Sequence, residues 1–162
     1  MKEVNWDSEG PYFEDLEIGM KIKSWPRRTL SNIDNLFWLS LSGDQTAIYT
    51  DENFARSLRY KERPINNNYL INLVLGMSIK DTSKNSLALV NIDYAKVLKP
   101  VYSGETIEVE SEVIEKRESK TRKEVGIVTW IHRGLNERGE IVVEIRRTNL
   151  VYKKMYSPFK NE

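Results

Sequence analysis

Asn66-Asn67-Asn68-Tyr69-Leu70-Ile71-Asn72-Leu73-Val74-Leu75-Gly76-Met77-Ser78-Ile79 is the most apolar stretch of this 162-residue chain. A helix over about 68–79, carrying so little polar surface, is expected to be buried nearly all round. The run of Asn ahead of it marks the helix start. Asn side chains cap well there, and the first backbone N–H groups lack intrahelical partners and point outward. After a polar connection at 80–86, the pattern changes to period two and stays so to residue 152. Val90, Ile92 and Tyr94 alternate with Asn91, Asp93 and Ala95, and Ile107, Val109, Ser111 and Val113 alternate with Glu108, Glu110 and Glu112. Such alternation is that of a half-buried antiparallel strand. Residues 116–124 read as a charged loop. Two further strands, 125–135 and 141–152, are joined by Asn136-Glu137-Arg138-Gly139, with Gly where a hairpin turn needs positive φ. One long helix against four or five antiparallel strands is an α+β architecture.

Upstream of the helix, residues 1–10 are polar, end in Gly10-Pro11 and read as an N-terminal arm. Gly19 is placed for a turn before a strand at 21–30, which Pro26 confines to an edge or a bulge. Ser31 is the expected N-cap of a first helix, with Asp34 closing a capping box. Ile33, Leu36, Phe37 and Leu41 recur at helical spacing and predict that this helix buries the face they share. Ser42-Gly43 ends it. Asp44 follows on a polar turn, and Asp51 is expected to cap a short helix carrying Phe54, Ala55 and Leu58. An Asp placed this way either turns the chain or, on a loop held by two rigid neighbours, carries chemistry. Arg56, Arg59 and Lys61 form either a solvated face or a landing site for phosphates, which Arg and Lys suit by charge and geometry.

Composition narrows the function classes. Lys plus Arg number 25 against 24 Asp plus Glu, so no net basic field is available for nucleic acid or an anionic membrane. No apolar run reaches the ~18 residues of a spanning helix, and Met1-Lys2-Glu3-Val4 lacks a signal-peptide pattern. Zero Cys removes disulfides, thiol nucleophiles and thiolate metal ligands, and fits a cytoplasmic protein. The single His, His132, lies inside a strand and reads as structural, and no spacing of His and carboxylates resembles a metal site.

Ser42-Gly43-Asp44, then Tyr49, Asp51, Phe54-Ala55 and Arg63-Pro64-Ile65, resemble the signature of the MaoC-like (R)-specific enoyl-CoA hydratases, which runs Gly-Asp-x-Asn-Pro-x-His-x-Asp and continues to a Gly-x-Pro-Ile before a central helix. Pro100-Val101-Tyr102-Ser103-Gly104-Glu105-Thr106 and the strands after it are also similar to that family. The resemblance implies a single hot-dog domain over 11–153, with the sheet wrapped around the 68–79 helix and a C-terminal tail at 154–162. It implies a hydratase or dehydratase acting on an acyl-CoA or acyl-carrier thioester. No cofactor is implied beyond coenzyme A as part of the substrate. The protein is then a homodimer or higher homo-oligomer, because a single repeat leaves an open sheet edge.

In this family an Asp and a His are the catalytic pair, and a backbone amide at the central helix start donates to the thioester carbonyl. Asp44 falls on the family Asp and Tyr49 on the family His. Thr46-Ala47 replace Asn-Pro, and Glu62 replaces the Gly. The expected site is therefore Asp44 and Tyr49 as the catalytic pair, Asn67 or Asn68 for the carbonyl, and Arg56 and Arg59 for the phosphates. Two alternatives stay open. One is a non-catalytic thioester-binding protein, or a partner subunit of an active homologue. The other is a thioesterase in which Asp44 activates water toward the carbonyl.

Overall fold

The computed structural model describes residues 10–158; most of the expected N-terminal arm and the last residues of the tail lie outside them. A short 3₁₀ turn at Phe13–Asp15 leads through Gly19, at φ 85°, into strand β1, Lys21–Thr29. Helices α1 (Asn32–Ser42), α2 (Ala47–Thr50) and α3 (Glu52–Ser57) follow, then the long helix α4, Asn67–Thr82. The remaining strands are β2 (Ser86–Val97), β3 (Thr106–Glu118), β4 (Val125–Leu135) and β5 (Ile141–Tyr152). They make one five-stranded antiparallel sheet in the order β1-β3-β4-β5-β2. This is the hot-dog arrangement, with α4 lying on one face of the sheet.

The alternation read from the sequence sets the layers. Ile107, Val109, Ser111 and Val113 are fully buried, whereas the intervening Glu108, Glu110 and Glu112 take part in ion pairs with Lys21, Lys23 and Arg133 on the other face. Leu70 and Val74 of α4 pack with Ile107, Val109, Val143 and Ile145 in the main core. Gly134 on β4 lets the helix approach closely, since a Cβ there would stand 2.7 Å from Val74 Cγ2. β1 is an edge strand, and its register with β3 shifts between Ser24 and Arg28, the interval that holds Pro26.

Three expectations are corrected. First, α4 is longer than 68–79 and is not buried all round: Leu70, Val74, Ser78, Asp81 and Thr82 are buried, but Ile79 is 48% exposed and Gly76 faces outward. The sheet covers only one side of it. Second, α1 buries the opposite face from the one expected. Ile33, Phe37 and Leu41 are 77%, 65% and 68% exposed, while Asn35 and Leu39 are buried. Asn35 fixes this orientation, because its side-chain oxygen accepts from the Asn66 N–H at 2.8 Å and its Nδ2 donates to Pro64 O at 3.4 Å. Third, β3 runs through Lys116 to Glu118, into the segment expected to be loop, and pairs there with Gly126–Val128 of β4.

The caps follow the sequence closely. Ser31 and Asp34 form the reciprocal box at the start of α1, and Gly43 ends that helix at φ 68°. Asp51 caps α3 by accepting from Asn53 N and Phe54 N. His132 is fully buried on β4. It bonds to Ser111 Oγ at 2.7 Å through Nδ1, and its Nε2 accepts from Arg147 Nε at 2.7 Å. That placement agrees with a structural role. No helix among the described residues is long and apolar enough to cross a membrane.

Candidate functional site

The turn between α1 and α2 brings Asp44 to the start of α4. Asp44 Oδ1 accepts from its own second neighbour, Thr46, through the N–H at 2.9 Å and the hydroxyl at 2.6 Å. Such i to i+2 bonding is what Asp does well in a tight turn. Its Oδ2 accepts from Asn66 Nδ2 at 2.7 Å. These donors hold the carboxyl below its ordinary value, the Thr46 hydroxyl contributing most.

Asn66 is the N-cap of α4. Its Oδ1 accepts from Asn68 N at 2.9 Å and Tyr69 N at 3.3 Å, so one amide side chain caps the helix with its oxygen and holds Asp44 with its nitrogen. Since Asn68 N is spent on the cap, the free backbone donor of the first turn is Asn67 N–H. Tyr49, which stands on α2, lines the same cavity as Asn67. The Tyr49 phenol is pushed up from its ordinary value. Burial is the main cause, the Asp44 charge adds to it, and the Asn67 amide works the other way.

Tyr49 and Asn67 open on a cavity of about 160 Å³, whose other walls are Ile48, Tyr60, Pro64 and the 97–100 segment at the end of β2. Asp44 and Asn68 are not among its lining residues. Asp44 is instead joined to the site through Asn66. Arg56 lies on exposed α3 and pairs with Glu52 at 2.9 Å. Arg59 is exposed, at the αL residue that closes α3. Neither lines the cavity, although Lys99 does.

Sequence reasoning missed three parts of this arrangement: helix α2 as the support for Tyr49, Asn66 as the residue linking Asp44 to α4, and Asn35 as its anchor. A four-residue helix has no periodicity to detect. Asn35, a polar residue amid apolar neighbours in a helix, was the available signal for an anchored buried face.

A family model described as mesaconyl-CoA hydratase matches residues 1–158 of this chain. A β-methylmalyl-CoA dehydratase of Chloroflexus aurantiacus is 33% identical over 148 residues, 90% of this chain and 41% of that protein. A mesaconyl-CoA hydratase of Cereibacter sphaeroides is 32% identical over 146 residues, 90% of this chain and 42% of that protein. The crystal structure of a MaoC domain protein dehydratase from Chloroflexus aurantiacus superposes with a TM-score of 0.88 at 28% identity, over 98% of this chain and 46% of that one. The chain thus spans about two fifths of the length of the curated relatives it matches.

Proposed function

Because the chain belongs to the mesaconyl-CoA hydratase family, we propose that it adds water to, or removes it from, an acyl-CoA-type thioester. In the hydration direction the hydroxyl of water joins the β-carbon of the enoyl thioester and a proton joins the α-carbon. Dehydration is the reverse. As enolate charge develops, the carbonyl oxygen needs hydrogen-bond donors, and water needs a positioned base.

One observation carries this reading: Asn66 binds Asp44 and caps α4 at once, so the candidate base is tied to the helix start whose Asn67 lines a cavity with Tyr49. Asp44, a carboxylate at neutral pH, is the candidate proton acceptor. Asn67 and Tyr49 are the candidate groups for the carbonyl end, with Asn68 beside them. Arg56 and Arg59, exposed on the α3 side, are candidates for the phosphates of coenzyme A, which the substrate brings with it; no other cofactor is needed. The names of the relatives point to a short acyl group bearing a second carboxylate, and Lys99 is the cation on the cavity wall, its ammonium paired with Glu140.

A second hot-dog unit completes the protein in this reading. β2 is an edge strand whose Leu89, Val90 and Ile92 are 51%, 55% and 41% exposed, and pairing with a copy of this chain would cover them. The absence of Cys suits work in the cytoplasm.

The test is a spectrophotometric assay of hydration with crotonyl-CoA and mesaconyl-CoA, with free thiol followed in parallel. Loss of the enoyl absorbance without thiol release supports the hydratase. Thiol release supports a thioesterase. A second reading, a non-catalytic thioester-binding subunit, is favoured by the donors already on both Asp44 oxygens and by Tyr49 in place of His. Binding of the CoA esters with neither reaction supports it.

A further inference from the structure

The cavity at the start of α4 has one ionic wall. Among the described residues that line it, Lys99 alone is charged; the others are neutral polar side chains, Tyr49, Tyr60 and Asn67, or apolar ones. At about 160 Å³ it is close to the roughly 150 Å³ that takes a benzene ring, so it suits a group of about six heavy atoms. A carboxylate enters such a space only where a cation offsets the loss of its water.

Lys99 stands on fixed backbone, between Leu98, whose N–H donates to Val142 O at 2.8 Å, and Pro100. Its side chain is 49% exposed, and its ammonium donates to Glu140 Oε1 at 2.5 Å. Glu140 does not depend on that contact alone. Its other oxygen, Oε2, accepts from Asn136 Nδ2 at 2.7 Å and from Arg138 Nε at 2.8 Å. Glu140 therefore divides its charge between two cations and leaves neither fully neutralised. An ammonium carries three N–H donors on a flexible stem, and Glu140 takes one of them. Two remain for a second anion.

We propose that Lys99 determines acyl specificity: its ammonium, shared between Glu140 and the ligand, pairs with a second carboxylate on a short acyl group held in the cavity. The substrate is then the thioester of a short dicarboxylic acid and not that of a plain fatty acid. This rests on the hydratase reading above and names the group that selects the substrate at that same site. The phosphates of coenzyme A offer Lys99 the same chemistry. The esters to compare therefore share coenzyme A and differ at the acyl end.

Succinyl-CoA and butyryl-CoA have the same number of acyl carbons and no double bond, and only the first has a second carboxylate. Calorimetry reads their binding. Mesaconyl-CoA and crotonyl-CoA carry the same contrast into the hydration assay. The wild-type protein is expected to bind succinyl-CoA at least ~10-fold more tightly than butyryl-CoA. Lys99→Met keeps the length of the side chain and removes its charge. It is expected to weaken succinyl-CoA binding, and to lower kcat/KM for mesaconyl-CoA, by ~10–100-fold, as for loss of a hydrogen bond to a charged group. Butyryl-CoA and crotonyl-CoA should be little changed. Lys99→Met combined with Glu140→Gln should stay unselective, since no cation is restored.

A wild-type protein without the preference overturns the proposal, as does a Lys99→Met protein that keeps it. Equal weakening of both esters assigns Lys99 to the coenzyme A phosphates and overturns it too. So does a double variant that regains the preference, because repulsion by Glu140 was then the cause of its loss. A preference in binding that depends on Lys99, with neither enoyl ester hydrated, leaves this assignment standing and removes the hydratase reading. A protein that binds none of the esters overturns both.

Discussion

The side-chain amide of Asn66 donates to Asp44 across 22 residues of sequence, at 2.7 Å, while its oxygen caps the helix that follows. Two functions thus share one side chain, and two substitutions separate them. Asn66→Ala removes both and should cost about 1–2 kcal/mol, as loss of a helix N-cap does. Asn66→Asp keeps a good capping oxygen but sets a second carboxylate against Asp44. Urea denaturation should therefore find Asn66→Asp close to the parent below pH ~4, where carboxyls protonate, and progressively less stable above it. Equal losses at every pH for the two variants would show that the Asp44 contact contributes nothing.

Thr46 sets the charge of Asp44. Its hydroxyl is the largest cause of the lowered Asp44 carboxyl, followed by its N–H and then Asn66. A lowered folded value means that the carboxylate persists as pH falls, so activity that depends on Asp44 should hold until below pH ~4. Thr46→Val deletes the hydroxyl alone. The acid limb of the pH–rate profile for crotonyl-CoA hydration should then move to higher pH while the neutral plateau changes less. An unmoved limb would mean that another group controls it.

Much of this fold can be read from alternation and caps, because period two along β3 and β5 fixes which residues share a sheet face. β2, exposed on both faces and with three register shifts against β5, does not keep it. Ser31 with Asp34, and Asp51, were legible because their side chains satisfy nearby N–H groups, a local matter. What α1 faces was not local. Periodicity correctly groups Ile33, Leu36, Phe37 and Leu41, yet cannot say whether the group meets a core or the outside. Asn35 decides that through bonds to residues about thirty positions away. The site was half legible for the same reason. Asp44 and the Asn run stood out, but which Asn caps and which N–H is left free depends on three-dimensional register.

His132 gives the protein an acid-sensitive core. Burial first, and then the Arg147 charge, hold its imidazole well below its ordinary value. Arg147 is itself pulled down to about 10 by burial and stays charged at neutral pH. An unfolded chain takes up a proton at His132 near pH 6.5, whereas the folded chain resists it. Stability is therefore complete above pH ~6.5 and should fall as pH drops below it, by up to ~1.4 kcal/mol per pH unit. The chain has one His, so the part of the pH dependence that His132→Gln removes between about pH 5.5 and 7.5 is its own. His132→Gln should flatten the urea-midpoint dependence there while lowering stability throughout. An equally steep dependence in that variant would refute this account.

Arg59 closes α3 in the left-handed region, at φ 67°, where Tyr60 N donates to Ala55 O and Arg59 N to Arg56 O. Gly is the residue that such a closure favours. Arg59→Gly should relieve a left-handed cost of roughly 1 kcal/mol and raise the thermal midpoint. If the guanidinium also contacts coenzyme A phosphates, KM for crotonyl-CoA should rise several-fold with kcat unchanged, an effect that weakens at high salt. A KM equal to that of the parent removes Arg59 from the binding site.

The β2 edge is the last place where sequence and structure converge on a measurable outcome. It runs for 12 residues and pairs only with β5 on one side. Its other side presents unpaired backbone groups together with exposed Leu89, Val90 and Ile92, which three register shifts against β5 and Lys96 near one end protect only in part. A second copy aligned antiparallel would satisfy the backbone and bury the apolar side chains together. Light scattering should therefore give twice the chain mass at micromolar concentration. Ile92→Lys sets two like charges into that seam and should shift the protein to monomer, while leaving the far-UV circular dichroism of the isolated chain intact. A wild-type protein that is monomeric at these concentrations would rule out pairing with itself. The chain should then assemble only on co-expression with a different hot-dog chain, and the same Ile92→Lys substitution should prevent that assembly.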